Sequence, residues 1–109
     1  MIKATVFRSG NEITAFELTG HAESGPYGFD LVCAAVSAVS IGTVNAASVL
    51  TETDLEVKQG DEGGYLYVRI PDSVSEEHMG KLQLLFEGMV ISLKSIEEEY
   101  SKFIKVYSG

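Results

Sequence analysis

From Leu31 to Leu50 the chain runs for 20 residues without a charge, and no other feature restricts its fold as much. A helix of that length and polarity is long enough to cross a bilayer. The flanks argue otherwise, because Asp30 and Glu52 border the run without basic anchors, and Ser37, Ser40, Thr43, Asn45 and Ser48 interrupt it. The run therefore predicts the central helix of a globular domain, buried on most sides, in part by a second subunit. Gly42 stands between Ala38 and Ala46 at four-residue steps, which predicts close approach by a neighbouring element.

Strand signals surround this helix. Ile2, Ala4 and Val6 alternate with polar or aromatic residues, Ser9-Gly10-Asn11-Glu12 supplies turn chemistry, and Ile13 to Thr19 resumes an extended pattern. After the loop Ala22 to Gly28 and the helix, Thr53 to Gln59 and Tyr65 to Ile70 flank the glycine-rich Gly60 to Gly64, a second hairpin. Leu66, Val68 and Ile70 face the core, leaving Tyr65, Tyr67 and Arg69 as an aromatic surface open to a partner, a peptide or another subunit. Pro71-Asp72-Ser73 ends that strand, and Ser73 with Glu76 has capping-box spacing. A long helix then carries an apolar stripe through Met79, Leu82, Phe86, Met89, Val90, Leu93, Ile96 and Tyr100. Phe103 to Tyr107 reads as a short final strand. The expected fold is α+β, a two-layer arrangement of a mainly antiparallel sheet and two helices in the order ββαββα plus that strand. Residues 1–109 form one domain, of a size that buries roughly two-thirds of the unfolded surface.

The formal net charge is -8, with two basic and six acidic residues in 1–54 and six and ten in 55–109. No basic run occurs, so neither direct nucleic-acid binding nor membrane binding is expected, whereas a basic protein would be attracted over long range. Solubility explains the same acids equally well. Cys33 is the only cysteine, so no disulfide forms within one copy. Met1-Ile2-Lys3 opens directly into strand-like alternation, and the expected location is the reducing cytoplasm.

Cys33 also carries the candidate chemistry. A thiolate is the competent nucleophile, and an unperturbed thiol with a pKa of about 8.5 is mostly protonated at neutral pH. With Asp30 capping the helix, Cys33 falls in its first turn, where backbone amides and the helix dipole favour the thiolate. His21 ends the preceding strand 12 residues earlier. Beside Cys33 it would withdraw the thiol proton and return it to the leaving amine, with nearby amides holding the oxyanion. Gly25, Pro26, Tyr27 and Gly28 suit a lid over a bound peptide. The spacing alone leaves another reading open, in which Cys33 is a small buried hydrophobe. One Cys and two His give no zinc set, His78 reads as a solvated surface residue, and no metal or cofactor is expected.

Gly20-His21-Ala22, Gly25 and the block Tyr27-Gly28-Phe29-Asp30-Leu31-Val32-Cys33-Ala34-Ala35-Val36-Ser37 resemble the signature of the ribosomal-processing cysteine protease family, Prp. Val44-Asn45-Ala46, Gly63-Gly64 and the stretch from Ser92-Leu93 to Ile96-Glu97-Glu98-Glu99-Tyr100 are similar to family positions, so nearly the whole chain is covered. The resemblance implies a small homodimeric endopeptidase that uses no metal. It implies removal of an N-terminal extension from a large-subunit ribosomal protein, with cleavage after a pair of aromatic residues. It makes His21 and Cys33 the catalytic pair and places Gly20, Gly25, Gly28, Asp30 and Ser37 on supporting motif positions. Asp30 would cap the helix or orient His21, the cap being preferred, and Ser37 would hydrogen-bond in the site or pack. An extended peptide would add along a sheet edge with its aromatic side chains in pockets beneath the loop. The rival reading is a non-enzymatic ribosome-assembly or interaction module with a structural Cys33. A redox sensor ranks last for want of a resolving cysteine.

Overall fold

The computed structural model describes residues 1–20, 29–60 and 64–108, and of residues 29 and 30 it describes the helical backbone alone. Strand β1 (Ile2–Ser9) turns through Gly10, at φ 62°, into β2 (Glu12–Thr19). Helix α1 (Phe29–Thr51) leads to β3 (Glu56–Gln59) and β4 (Tyr65–Arg69), then α2 (Glu76–Glu99) and β5 (Ile104–Ser108). The strands form one sheet in the order β3-β4-β2-β1-β5. All pairings are antiparallel except β1 with β5, which runs parallel after the α2 crossover. This is the expected α+β arrangement, final strand included.

Alternation decides which face is covered. Ala4 pairs with Leu18, Val6 with Phe16, and Phe16 with Val68, so one face of the sheet is a continuous apolar row. Both helices close over it in a single core that joins Ile2, Leu66 and Ile104 to Val32, Val36 and Val44 of α1 and Leu82, Phe86 and Leu93 of α2. The rings of Phe16 and Phe86 meet at 5.7 Å and 55°, a tilted aromatic contact between sheet and helix.

Three expectations change at the helices. The α2 cap is Ser75, whose side chain accepts from the His78 amide, and not Ser73. Val74 before the cap and Met79 at the fourth helical position both pack on the core. They form the pair of apolar residues that brackets a helix start, and only the Ser75 start allows it. Helix α1 is not buried on most sides within one chain. Its buried residues, Val32, Val36, Ser40, Val44, Ala47 and Thr51, make one stripe, whereas Leu31, Val49 and Leu50 are each more than 60% exposed. Nor does a neighbour among the described residues approach Gly42, where an added Cβ would meet none of their atoms within 4 Å. The hydroxyls of Ser40, Thr43 and Thr51 donate to the carbonyls of Val36, Val39 and Ala47 one turn back. That arrangement satisfies polar groups inside an apolar helix.

Two contacts from α2 finish the sheet edge. The Glu97 carboxylate accepts from the Val106 amide at 2.7 Å, occupying a donor on edge strand β5 that would otherwise invite another strand. At the β-bulge between Phe7 and Arg8, Arg8 forks onto both carboxylate oxygens of Glu87 at 2.8 Å and also donates to Ser108 Oγ. The Arg8 hydrogen bond holds the Glu87 carboxyl below the usual carboxylate range, against the smaller opposing effect of burial. A depressed carboxyl stabilises the fold above its unfolded pKa of about 4.3 and loses that contribution as pH falls through the folded value. Glu87→Gln is expected to cost about 0.5–1 kcal/mol at pH 7, since solvent screens a pair with this much exposure. The gap between the urea midpoints of the two proteins should narrow as pH falls from 7 into the acid range, and a gap that stays constant would refute the assignment.

Candidate active site

Along α1, residues Cys33, Val36, Ser37, Ser40 and Ile41 recur at helical steps of three and four, so they form one stripe toward a cavity of about 260 Å³. The opposite wall is sheet. Ile2 comes from β1, Leu18 and Thr19 from β2, Gln59 from β3, and Tyr65 and Leu66 from β4, with Gly20 and Gly64 at the strand ends. Cys33 is half-buried at this wall and packs partly against the core.

The floor of the cleft is fixed by backbone at Gly20. Its amide donates to the Gly64 carbonyl at 3.0 Å, tying the end of β2 to the start of β4. Gly20 takes φ 124°, and a Cβ there would lie 2.5 Å from the Met1 carbonyl oxygen and 2.9 Å from Ile2 Cα. Only glycine fits both the torsion and the space. On the far side, the Tyr65 hydroxyl donates to Glu17 at 3.0 Å. That bond, made on the sheet face away from the helices, holds the phenol above its ordinary pKa.

Of the residues singled out in the sequence, Cys33, Ser37 and Gly20 lie together around this cavity. His21, Gly25 and Gly28, with the lid assigned to their loop, lie outside the described residues. Asp30 is the second residue of α1, which starts at Phe29, and not the residue before it. Cys33 is consequently the fifth helical residue. The amides ahead of it without an acceptor inside the helix are those of residues 29–31. Ser40 and Ile41 were findable as the next turn of the Cys33 stripe. Ile2, Leu18, Thr19, Gln59, Tyr65 and Leu66 carried no local signal, because the sheet order alone brings their strand ends beneath α1. Among the described residues, no group of three or more His, Cys, Asp or Glu is placed to hold a metal ion.

The chain's single cysteine on a helix stripe, beside a largely apolar cleft at the strand ends, defines the class: an α+β protein that presents cysteine to a cleft. Comparison with known proteins narrows it. The family model described as cysteine protease Prp matches residues 1–105. The ribosomal processing cysteine protease Prp of Bacillus subtilis (strain 168) is 46% identical over 107 residues, covering 97% of this chain and 96% of its own. Its namesake from Staphylococcus aureus (strain Mu50) is 39% identical over 95 residues, 87% of this chain and 86% of its own. Among solved structures, Prp of S. aureus in complex with a substrate peptide superposes with a TM-score of 0.87 at 34% identity, covering 100% of both chains. The same protease with a covalently linked product peptide gives 0.83 at 35%, again over 100% of both. The chain belongs to the cysteine protease Prp family, and it is a peptide hydrolase. Membership sets aside the non-enzymatic module.

Proposed function

We propose that this protein removes an N-terminal extension from a ribosomal protein precursor by attack of the Cys33 thiolate, with His21 as the proton carrier. One observation carries the assignment of residues. Cys33, the sole cysteine, lines the same cavity as Gly20, and Gly20 is the covalent neighbour of His21. In this reading His21 takes the Cys33 proton and the sulfur adds to the scissile carbonyl carbon. The tetrahedral intermediate collapses to a thioester as His21 protonates the departing amine. Water, deprotonated by His21, then releases the acyl product and restores the thiol. The amides of residues 29–31, at the positive end of α1, are the donors proposed for the oxyanion.

Substrate chemistry follows from the wall. Ile2, Leu18, Ile41 and Leu66 make an apolar slot suited to one large side chain of an extended peptide, in keeping with cleavage after aromatic residues. The acidic chain suits a basic substrate. The relatives named as ribosomal processing proteases, and the S. aureus structures with substrate and product peptides, support the same substrate class. A cytoplasmic location suits a single thiol that must stay reduced. The test is incubation of the purified protein with the full-length ribosomal protein precursor of its own organism, beside Cys33→Ala. A single Cys33-dependent cut near the precursor's N-terminus, mapped by mass, is expected; an intact precursor, or cleavage that survives in Cys33→Ala, overturns the proposal.

The working unit proposed is a homodimer. Ala38, Gly42 and Asn45 continue along α1 with Ile41 and Val49 as an exposed, uncharged face. Gly42 there has no neighbour among the described residues, which leaves room in which a second copy's helix can approach closely. Light scattering at micromolar protein should give the mass of two chains for wild type and of one for Gly42→Trp. A monomeric wild type, or a Gly42→Trp dimer, rejects this face.

A further inference from the structure

The sheet face turned away from the helices concentrates what the sequence scatters. Registers place Lys105, Lys3, Thr19 and Tyr65 side by side in one row across four strands, and Tyr107, Thr5, Glu17, Tyr67 and Lys58 in the next across all five. A third row holds Phe7, Ala15, Arg69 and Glu56. Phe7 and Tyr67 lean together at 6.5 Å over buried Ala15. Phe7, Tyr65 and Tyr107 are 41%, 38% and 51% exposed.

The charges are as uneven as the aromatics. Four of the chain's eight basic residues project from this face. Arg69 is matched by Glu56 and Asp72. Lys3, Lys58 and Lys105 are exposed and enter no ion pair among the described residues. Glu17, hydrogen-bonded to Tyr65, is the one carboxylate of these rows outside an ion pair. Lysines discourage pairing on edge strands, which accounts for Lys58 on β3 and Lys105 on β5. It does not account for Lys3 on inner strand β1, directly opposite Lys105, where adjacent like charges cost stability. Net charge argued against nucleic acid only by averaging over the whole surface.

We infer that this open face binds a segment of unpaired RNA, with bases stacked on Phe7, Tyr67 and Tyr107 and phosphates drawn to Lys3, Lys58 and Lys105. Aromatic rings set in a sheet between lysines are the features by which sheets hold single strands, because every base offers a π-face to stack on. A basic ribosomal protein is repelled here. A folded protein partner lacks the contiguous apolar centre it would need, since Thr5, Thr19 and Glu17 break the aromatic surface. The choice of RNA over other unpaired nucleic acid rests on the proposed ribosomal substrate, whose surroundings are RNA.

Fluorescence anisotropy with a labelled 12-nucleotide oligouridylate tests it at two salt concentrations. Wild type is expected to bind in the micromolar range at 50 mM salt and more weakly at 200 mM. The triple variant Lys3→Gln, Lys58→Gln and Lys105→Gln should flatten the salt slope by about 2. Tyr107→Ser should weaken binding about tenfold at unchanged slope. Precursor cleavage by either variant, in the absence of RNA, should match wild type, which keeps this test separate from that of the protease assignment. No binding by wild type at 50 mM salt overturns the inference. So does equal affinity for a duplex of the same length, or displacement by an oligoglutamate with no loss in Tyr107→Ser, which would mark an acidic peptide site.

Discussion

Cys33→Ala is expected to lower kcat/KM for a peptide spanning the processing site by about 10⁴-fold or more, with melting close to that of wild type. The side chain is small and half-buried, so its loss removes one sulfur from the core margin and leaves the buried stripe of α1 intact. His21→Ala should fall to a similar rate, and the double variant should be no worse than either single one, because a nucleophile and its base act as a unit. Thiol reactivity separates the dyad from a cysteine that is merely accessible. Alkylation of Cys33 by iodoacetamide at pH 6 to 7 should outpace that of an ordinary thiol, and His21→Ala should abolish the advantage. Equal alkylation rates with and without His21 would leave the fold untouched and remove His21 from the reaction.

What the sequence disclosed, and what it withheld, follows from the range of the forces involved. Two-residue alternation in Ile2 to Val6 and in Leu66 to Ile70, turn residues at Gly10 and Gly60, and the α2 stripe are local signals, and all became the elements they indicated. Helix α2 starts two residues later than the Ser73–Glu76 spacing indicates, because Ser75 caps it without a box partner. The choice between them was made by Val74 meeting the core. Apolar composition overstated the burial of α1, since a charge-free run does not say how many of its sides a single copy can cover. Cys33, Ser37 and Ile41 were legible as one helical stripe. Their sheet-side partners were not, because Ile2, Gln59 and Tyr65 converge only once β4 inserts between β3 and β2. The three lysines of the open face, at positions 3, 58 and 105, were dispersed for the same reason.

Gly20→Ala should be the most damaging conservative change outside Cys33 and His21, and the cause is backbone. A φ of 124° is glycine territory, and the new Cβ would press on the Met1 carbonyl and Ile2 Cα. Ile2 cannot retreat freely: it is buried, its amide donates to the Phe103 carbonyl at 2.8 Å, and it pairs with Ile104. Strain and clash together should cost about 3 kcal/mol, which for a domain of this size lowers Tm by roughly 10–20 °C. Gly10 supplies the control. It also has a positive φ, of 62°, but an added Cβ there meets nothing within 4 Å, so Gly10→Ala should cost about 1 kcal/mol and leave cleavage intact. The two substitutions therefore differ in kind. At temperatures where Gly20→Ala is still folded, its kcat should fall much more than that of Gly10→Ala, because Gly20 ties β2 to Gly64 at the cleft and directly precedes the proposed proton carrier. If Gly20→Ala loses stability but keeps wild-type kcat, the residue holds the sheet together without positioning His21, and the link between the strained strand end and the chemistry fails.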